Sequence, residues 1–286
     1  MSIRRLAVIG VGLIGGSLAQ ALRAAGAVEH IVGCDCDAAN LDKALALGVV
    51  DTAAAEVAAA VRGCDRVFLA VPLGAMRTVM QQMAGCLASD CVVTDGGSAK
   101  RSVVADWRAV FGDARRFVPS HPIAGTEHSG VEHAFAALYR GRRVILTPVA
   151  DTDAAALDSV QAMWRQTGAQ VSLMDMQRHD RVLAATSHAP HVLAFALVAE
   201  LAKRDDAQDI LSYAAGGFRD FTRIAASNPR MWHDICLMNG QAIEAVLADL
   251  QGQIDALRRA VVAQDGPLLL QRFEAAKAFR DQLTLG

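Results

Sequence analysis

The start of the chain constrains the fold most. Arg4 and Arg5 precede an almost unbroken apolar run from Leu6 to Ala21, the outline of a secretory signal or a membrane span. Four glycines inside the run, Gly10, Gly12, Gly15 and Gly16, argue against both. Gly10-x-Gly12-x-x-Gly15 follows the β-rich stretch Leu6–Ile9 and leads into a helical stretch from Gly15 to Ala25, with Leu13 and Ile14 between the glycines. In a strand-turn-helix setting the first glycine permits the tight turn and the second lets backbone approach a pyrophosphate. The third lets helix and strand pack closely. The helix start then turns unpaired N–H groups toward the phosphates.

Asp35 stands 20 residues past Gly15, at the end of the next β-rich stretch. A carboxylate there accepts from ribose hydroxyls and repels a 2′-phosphate, and Cys36 to Asn40 contain no lysine or arginine, so the expected dinucleotide is NAD. The predicted cofactor set is Gly10, Gly12, Leu13, Ile14, Gly15 and Asp35, joined by Val71 and Pro72. That last pair also reads as a plain stop to its strand.

Further β-rich runs, Ile31–Cys34, Val67–Val71, Cys91–Thr94, Phe117–Val118, Val144–Leu146 and Val171–Leu173, alternate with alanine-rich helical stretches. Such alternation predicts βαβ units on a doubly wound parallel sheet. From Asp175 the text is helix upon helix, broken at Asn228-Pro229 and Gly266-Pro267. We therefore expect a Rossmann-type α/β domain over 1–174 and an all-α domain over 175–286. The apolar stretches Val192–Leu201 and Ile235–Leu250 hold more greasy surface than one helical layer hides, which predicts self-association.

Composition narrows the partners. Hydrophobic residues are 53% of the 286, charged ones 20%, and the formal net charge is −2, which excludes a disordered solvating chain and a basic field for nucleic acid or an anionic membrane. The expected partner is a small molecule, with anions held by a few local cations. Six cysteines without a C-x-x-C pair suggest reduced thiols in a cytoplasm.

Open α/β sheets bind ligands beyond the carboxyl ends of their strands. The strands deliver there the glycines, Asp35, Val71-Pro72, Asp95-Gly96-Gly97-Ser98-Ala99-Lys100 and Ser120-His121-Pro122. Ser98 either faces a ligand or caps the helix that follows. His121 is the candidate acid or base, because imidazole exchanges protons near neutral pH. His128, Glu132 and His133 have a spacing that matches neither zinc-protease helix motif, and no metal is expected. In the helical half, Pro190 within Ser187-His188-Ala189-Pro190-His191 should distort its helix. Ser187 and His191, four apart, share a face. Gly216-Gly217 precede Arg219, Asp220 and Arg223, which could also be an ion-paired surface helix.

Taken together, GVGLIGGSLA, DGGSAK, HPIAGTEHSG, SHAPH and GGFRDFTRIA resemble the prephenate dehydrogenases, a family that includes arogenate and broader cyclohexadienyl dehydrogenases of tyrosine biosynthesis. The resemblance spans nearly the whole chain. It implies that His121 contacts the substrate's ring hydroxyl and assists its deprotonation as hydride leaves for NAD, while Ser98 orients that pair. It implies that Arg223 binds a substrate carboxylate, and that His191, Ser187, Glu127, Gly216 and Asp220 line the pocket. Trp232 would reach in from a second subunit of a homodimer formed through the helical domain.

The implied reaction suits the residues. Removing hydride from the hydroxyl-bearing ring carbon of prephenate lets the ring carboxylate leave as carbon dioxide while the ring becomes aromatic. A dianionic substrate needs a permanent cation, and arginine's planar fork suits a carboxylate. Prephenate is the expected substrate. Arogenate, with an ammonium that Asp220 could meet, is the alternative. More distant are a 3-hydroxyacid-type NAD dehydrogenase, which would employ a helical-domain lysine such as Lys203, and a non-catalytic NAD-binding protein.

Overall fold

A computed structural model describes residues 2–126 and 128–283. Strands β1 (Ile3–Ile9), β2 (Val28–Cys34), β3 (Thr52–Ala53), β4 (Arg66–Leu69), β5 (Val92–Asp95) and β6 (Phe117–Val118) form a sheet in the order β3-β2-β1-β4-β5-β6. Every pair in it is parallel. The doubly wound prediction holds, and the chain changes direction across the sheet between β1 and β4, where such folds open a crevice. Register aligns the strand ends. Ile9 lies opposite both Cys34 and Leu69, and Leu69 opposite Asp95.

The strands near the middle lack alternation because helices cover both faces: Leu6, Ala7, Val8, Val67, Phe68 and Leu69 have no exposed surface. The helix Leu13–Ala24 buries Leu18 and Leu22 against this layer. Trp164, from the helix Ala154–Gln166, meets Phe68 and Tyr139 edge-on at ring-centroid distances of 5.6 and 5.1 Å.

Two strand expectations need correction. The stretches near residues 144 and 171 do not extend the parallel sheet. They are β8 (Arg143–Leu146) and β9 (Gln170–Leu173) of a separate three-stranded sheet led by β7 (Ser120–Pro122), with β7 antiparallel and β9 parallel to β8. Ser120-His121-Pro122 is thus a short strand rather than a loop trailing from β6, and His121 is paired with Ile145. The two-residue edge strand β3 carried no apolar run to reveal it.

After Leu173 every regular element among the described residues is helical. Asn228 and Asp265 accept from the first N–H groups of helices Pro229–Met238 and Gly266–Arg280, where Pro229 and Pro267 occupy first-turn positions that need no donor. Ahead of Pro190 the helix widens into a π-helical segment, Ala184–His188. The helical run Met176–Leu201 is long and apolar enough to cross a membrane by length and composition. It carries His179, Asp180 and His188 in its buried face, bonded to neighbouring elements, as an internal helix does. By contact the chain forms two compact units, Met1–Gly240 and Gln241–Gly286, so the first unit runs well beyond the change of texture at 174. In the second, helices Gly240–Val262 and Gly266–Arg280 are bridged by an Arg272–Gln253 hydrogen bond of 2.8 Å.

Within the first unit the turn after β5 is locked by a buried ion pair between Lys100 and Asp95, both without exposed surface. Lys100 Nζ also donates to Ser120 O at 2.6 Å, while Asp95 accepts from Gly97 N at 2.8 Å and Ser120 N at 3.0 Å. Removing one partner strands the other charge in the core. Lys100→Ala should therefore lower the unfolding free energy by about 3–5 kcal/mol in urea denaturation followed by circular dichroism, with Lys100→Met/Asp95→Asn less affected. A loss below about 1 kcal/mol for the single variant would show that the pair is not isolated from solvent.

Candidate active site

The carboxyl ends of β1, β2 and β4 open onto a cavity of about 660 Å³. Gly10, Gly12, Asp35, Val71 and Pro72 of the predicted cofactor set line it, with Glu56 and Gln82 among the residues that the sequence did not single out. Those additions come from helical neighbours whose side chains carry no motif. Leu13 is buried at the helix start, and Ile14 O accepts from the Tyr139 hydroxyl at 2.6 Å.

The three motif glycines have separate reasons to lack a side chain. Gly10 has φ +92°, and a Cβ there would strike Ala70 of the adjoining strand end. A Cβ at Gly15 would collide with the Gly10 carbonyl and reach within 2.8 Å of Val8 Cγ1. A Cβ at Gly12 would meet no protein atom within 4 Å. Packing therefore explains Gly10 and Gly15, whereas Gly12 keeps open the cavity it lines. No side chain caps the helix that begins at Leu13, leaving its first-turn donors facing outward along the axis.

Asp35 also braces the loop. Its Oδ2 accepts from Val11 N at 2.9 Å and Asn40 Nδ2 at 3.1 Å, and its Oδ1 from Asp37 N at 3.0 Å. A carboxylate offers about four acceptor sites, so Oδ1 retains capacity for a ribose hydroxyl. These features fit a dinucleotide: an uncapped helix start, an open glycine face and an acid at the second strand's end.

Beside the parallel sheet, His121 is 8% exposed. Its Nδ1 lies 2.9 Å from His179 Nε2, and His179 Nδ1 lies 2.8 Å from Asp180 Oδ1. Burial, reinforced by His179, Lys100 and His188, holds the His121 pKa well below the usual imidazole value. It is therefore neutral at physiological pH. The sequence reading missed His179 and Asp180; adjacent His-Asp in a helix is no motif, and only the fold brings them to β7.

Ser98 is half-buried, and the capping alternative fails: no side chain caps the helix Arg101–Phe111 from its own turn. Asp180 serves its first donors instead, accepting from Lys100 N at 2.8 Å and Arg101 N at 3.0 Å. His191 Nδ1 is 2.8 Å from Ser187 O, and its ring stacks on Trp232 of its own chain at 3.7 Å. Burial, then the nearby Arg223 charge, lowers the His191 pKa. Arg223, Asp220 and Gly216 lie on exposed turns of the helical half, and no ion pair joins Asp220 to Arg223 among the described residues. Glu127 lies outside the described residues. His128 and His133 stack on each other at 4.7 Å while Glu132 pairs with Lys43 at 3.4 Å. Lys203 is exposed and pairs with Glu200, and it does not line the glycine-walled cavity.

Two family descriptions match the chain: prephenate dehydrogenase, nucleotide-binding domain, over residues 18–173, and prephenate dehydrogenase, dimerization domain, over 175–275. The chain belongs to the prephenate dehydrogenase family. It is 39% identical over 279 residues to the cyclohexadienyl dehydrogenase of Zymomonas mobilis, covering 97% of this chain and 95% of that one. It is 34% identical over 278 residues to the prephenate dehydrogenase of Bacillus subtilis, covering 96% and 75% respectively. The crystal structure of the A. aeolicus prephenate dehydrogenase, in complex with hydroxyphenyl propionate and NAD+, superposes with a TM-score of 0.92 at 36% identity over 99% of both chains.

The prephenate dehydrogenase family accounts for the fold: this is an NAD-dependent dehydrogenase with a nucleotide-binding domain, and the glycine-lined cavity fits that cofactor. The separate reasons for the glycines can be tested. Gly12→Ala should keep the melting temperature and weaken NAD binding at least about tenfold by calorimetry, a loss of about 1.4 kcal/mol. Gly15→Ala should cost about 1–3 kcal/mol or more of stability from forced overpacking. Equal effects of the two variants on both measurements would refute the distinction.

Proposed function

We propose that this enzyme oxidatively decarboxylates prephenate to 4-hydroxyphenylpyruvate with NAD, for tyrosine synthesis in the cytoplasm. The observation that carries the reading is the buried, neutral imidazole of His121 on β7, in a chain whose glycine-lined crevice fits NAD. Bound NAD supplies the hydride acceptor. His121 takes the proton of the ring hydroxyl, Ser98 orients that hydroxyl and imidazole, and Arg223 holds a carboxylate. Ser187, His191 and Trp232 wall the pocket with Gly216, Asp220 and Glu127. Orientation, proton removal and charge pairing are all the protein need provide, because loss of carbon dioxide is driven by aromatisation.

The division of labour follows the family's two parts, with 1–174 for cofactor and 175–286 for substrate and dimer contacts. A homodimer suits the apolar side chains that each unit leaves exposed. These include Leu197 and Val198 in the first unit and Val261, Val262 and Phe273 in the second. The six free thiols suit a reducing cytoplasm. A second substrate has support from the Zymomonas relative, whose name covers cyclohexadienyl compounds generally. Asp220, unpaired with Arg223, is the acid that would meet the ammonium of arogenate.

NADH formation should be measured with prephenate and with arogenate, each with NAD and NADP; turnover of prephenate with NAD supports the proposal, and inactivity with both substrates overturns it. His121→Asn should retain NAD binding and lose about 10²-fold or more in kcat. Because the base works when neutral and its pKa is depressed, wild-type kcat/KM should stay level through neutral pH and fall only as pH drops well below 6.5. Arg223→Ala should chiefly raise the KM for prephenate, and an unaltered KM would move the carboxylate site elsewhere.

A further inference from the structure

We infer that His179 and Asp180 are positioning residues that set the tautomer of His121, placing its proton on Nδ1 and leaving the Nε2 lone pair to receive the substrate's proton. The inference rests on the reading of His121 as the base.

The order of protons begins at Asp180. Its carboxylate sits at the start of helix Arg101–Phe111, where Oδ1 accepts from Lys100 N at 2.8 Å and Oδ2 from Arg101 N at 3.0 Å. Burial opposes its charge, yet bonds from His179 and these two N–H groups hold its pKa below the ordinary carboxylate value. An ionised carboxylate only accepts, so His179 Nδ1, 2.8 Å from Oδ1, must carry a proton. The opposite tautomer would set lone pair against lone pair at that distance.

Burial, aided by the Lys100 charge, lowers the His179 pKa, although Asp180 and Asp95 oppose the shift. His179 is thus neutral, and with Nδ1 protonated its Nε2 is an acceptor. Facing it at 2.9 Å, His121 Nδ1 must be the donor. No hydrogen bond from the described residues engages His121 Nε2. The direction of each proton thus propagates from one carboxylate through two imidazoles.

The surroundings hold this order. Lys100 is the cation near the pair, and Asp95 neutralises it. His188, on the other side, is pushed down to about 4 by burial and stays neutral. Asn239 Nδ2 donates to Asp180 O at 2.9 Å and lies 3.0 Å from His188 Nδ1, anchoring the helix that carries the relay. A cap for helix Arg101–Phe111 requires only Asp180. His179, with no exposed surface, has a polar partner at both ring nitrogens where an apolar side chain would suffice for packing.

The test is histidine ¹⁵N NMR on the full-length enzyme, with the His121 signals identified by their loss in His121→Asn. Wild type should show His121 protonated at Nδ1 and bare at Nε2 through neutral pH; protonation at Nε2 by itself overturns the inference. Asp180→Asn and His179→Leu should lose that signature and drop kcat by about 10²-fold, since a wrong tautomer disables a base, with NAD affinity and substrate KM little changed. Asp180→Asn should also move the acidic limb of the rate profile to lower pH, because removing an anion disfavours the imidazolium. His179→Gln, whose Oε1 can still accept from His121 Nδ1, should recover part of the rate. A folded His179→Leu with wild-type kcat, pH profile and tautomer overturns the relay. Full turnover by His121→Asn would instead overturn the base assignment, an outcome that the NMR signature distinguishes.

Discussion

The buried Lys100–Asp95 pair is the interaction on which the site depends. A fully desolvated ammonium is tolerable only when it is paired and hydrogen-bonded, and here the Asp95 carboxylate and the Ser120 carbonyl take two of its three donors. Those two acceptors belong to the end of β5 and the start of β7, so neutralising one charge also joins the parallel sheet to the strand bearing His121. Asp95 in turn gathers Gly97 N and Ser120 N, which shapes the turn that carries Ser98. The same pair bears on the protonation of His121 and His179. A cation held beside two imidazoles discourages their protonation, and its own neutralisation keeps that effect moderate.

Much of this was legible in the sequence because it depends on local backbone rules. Gly10 needs positive φ, Gly15 needs bare contact with β1, and Asp35 ends a strand whose register aligns it with the glycine loop. The breaks expected at Asn228-Pro229 and Gly266-Pro267 fall where helices start, with Asn228 and Asp265 meeting the orphan donors. What stayed hidden depends on pairing at long range. The second sheet arises from strands of three and four residues, too short for a period to show, and Pro119 alone separates β7 from β6 of the parallel sheet. Ser98 looked like a cap because the true cap, Asp180, lies some 80 residues away. Lys100 stood inside a motif, yet nothing local says that its amine turns inward.

The histidines of the helical half show how one irregularity serves several contacts. Pro190 cannot donate to the turn before it, and the chain answers with the wider segment Ala184–His188. At the end of that segment His188 faces Asn239 and Trp232, while His191, one turn later, stacks on the same indole. Residues three apart lie on one face of a helix, so two imidazoles share one tryptophan.

These contacts also explain why the change of texture at residue 174 is not a break in the compact unit. Polar links among the described residues cross it. Asp180 caps the helix that starts at Arg101, His179 meets His121, and Asp234 accepts from Gly74 N at 3.1 Å. The last reaches the turn just past Val71 and Pro72, which line the cofactor cavity. A Cβ on Gly74 would come within 2.7 Å of the Asp234 carboxylate, so that approach is itself close-packed. The helices between residues 176 and 238 therefore touch the sheet domain beyond the end of β5 and at the rim of its crevice. Fastening at both places fixes how these helices sit against the crevice of an NAD-dependent dehydrogenase, where hydride transfer tolerates little misplacement between donor carbon and acceptor ring.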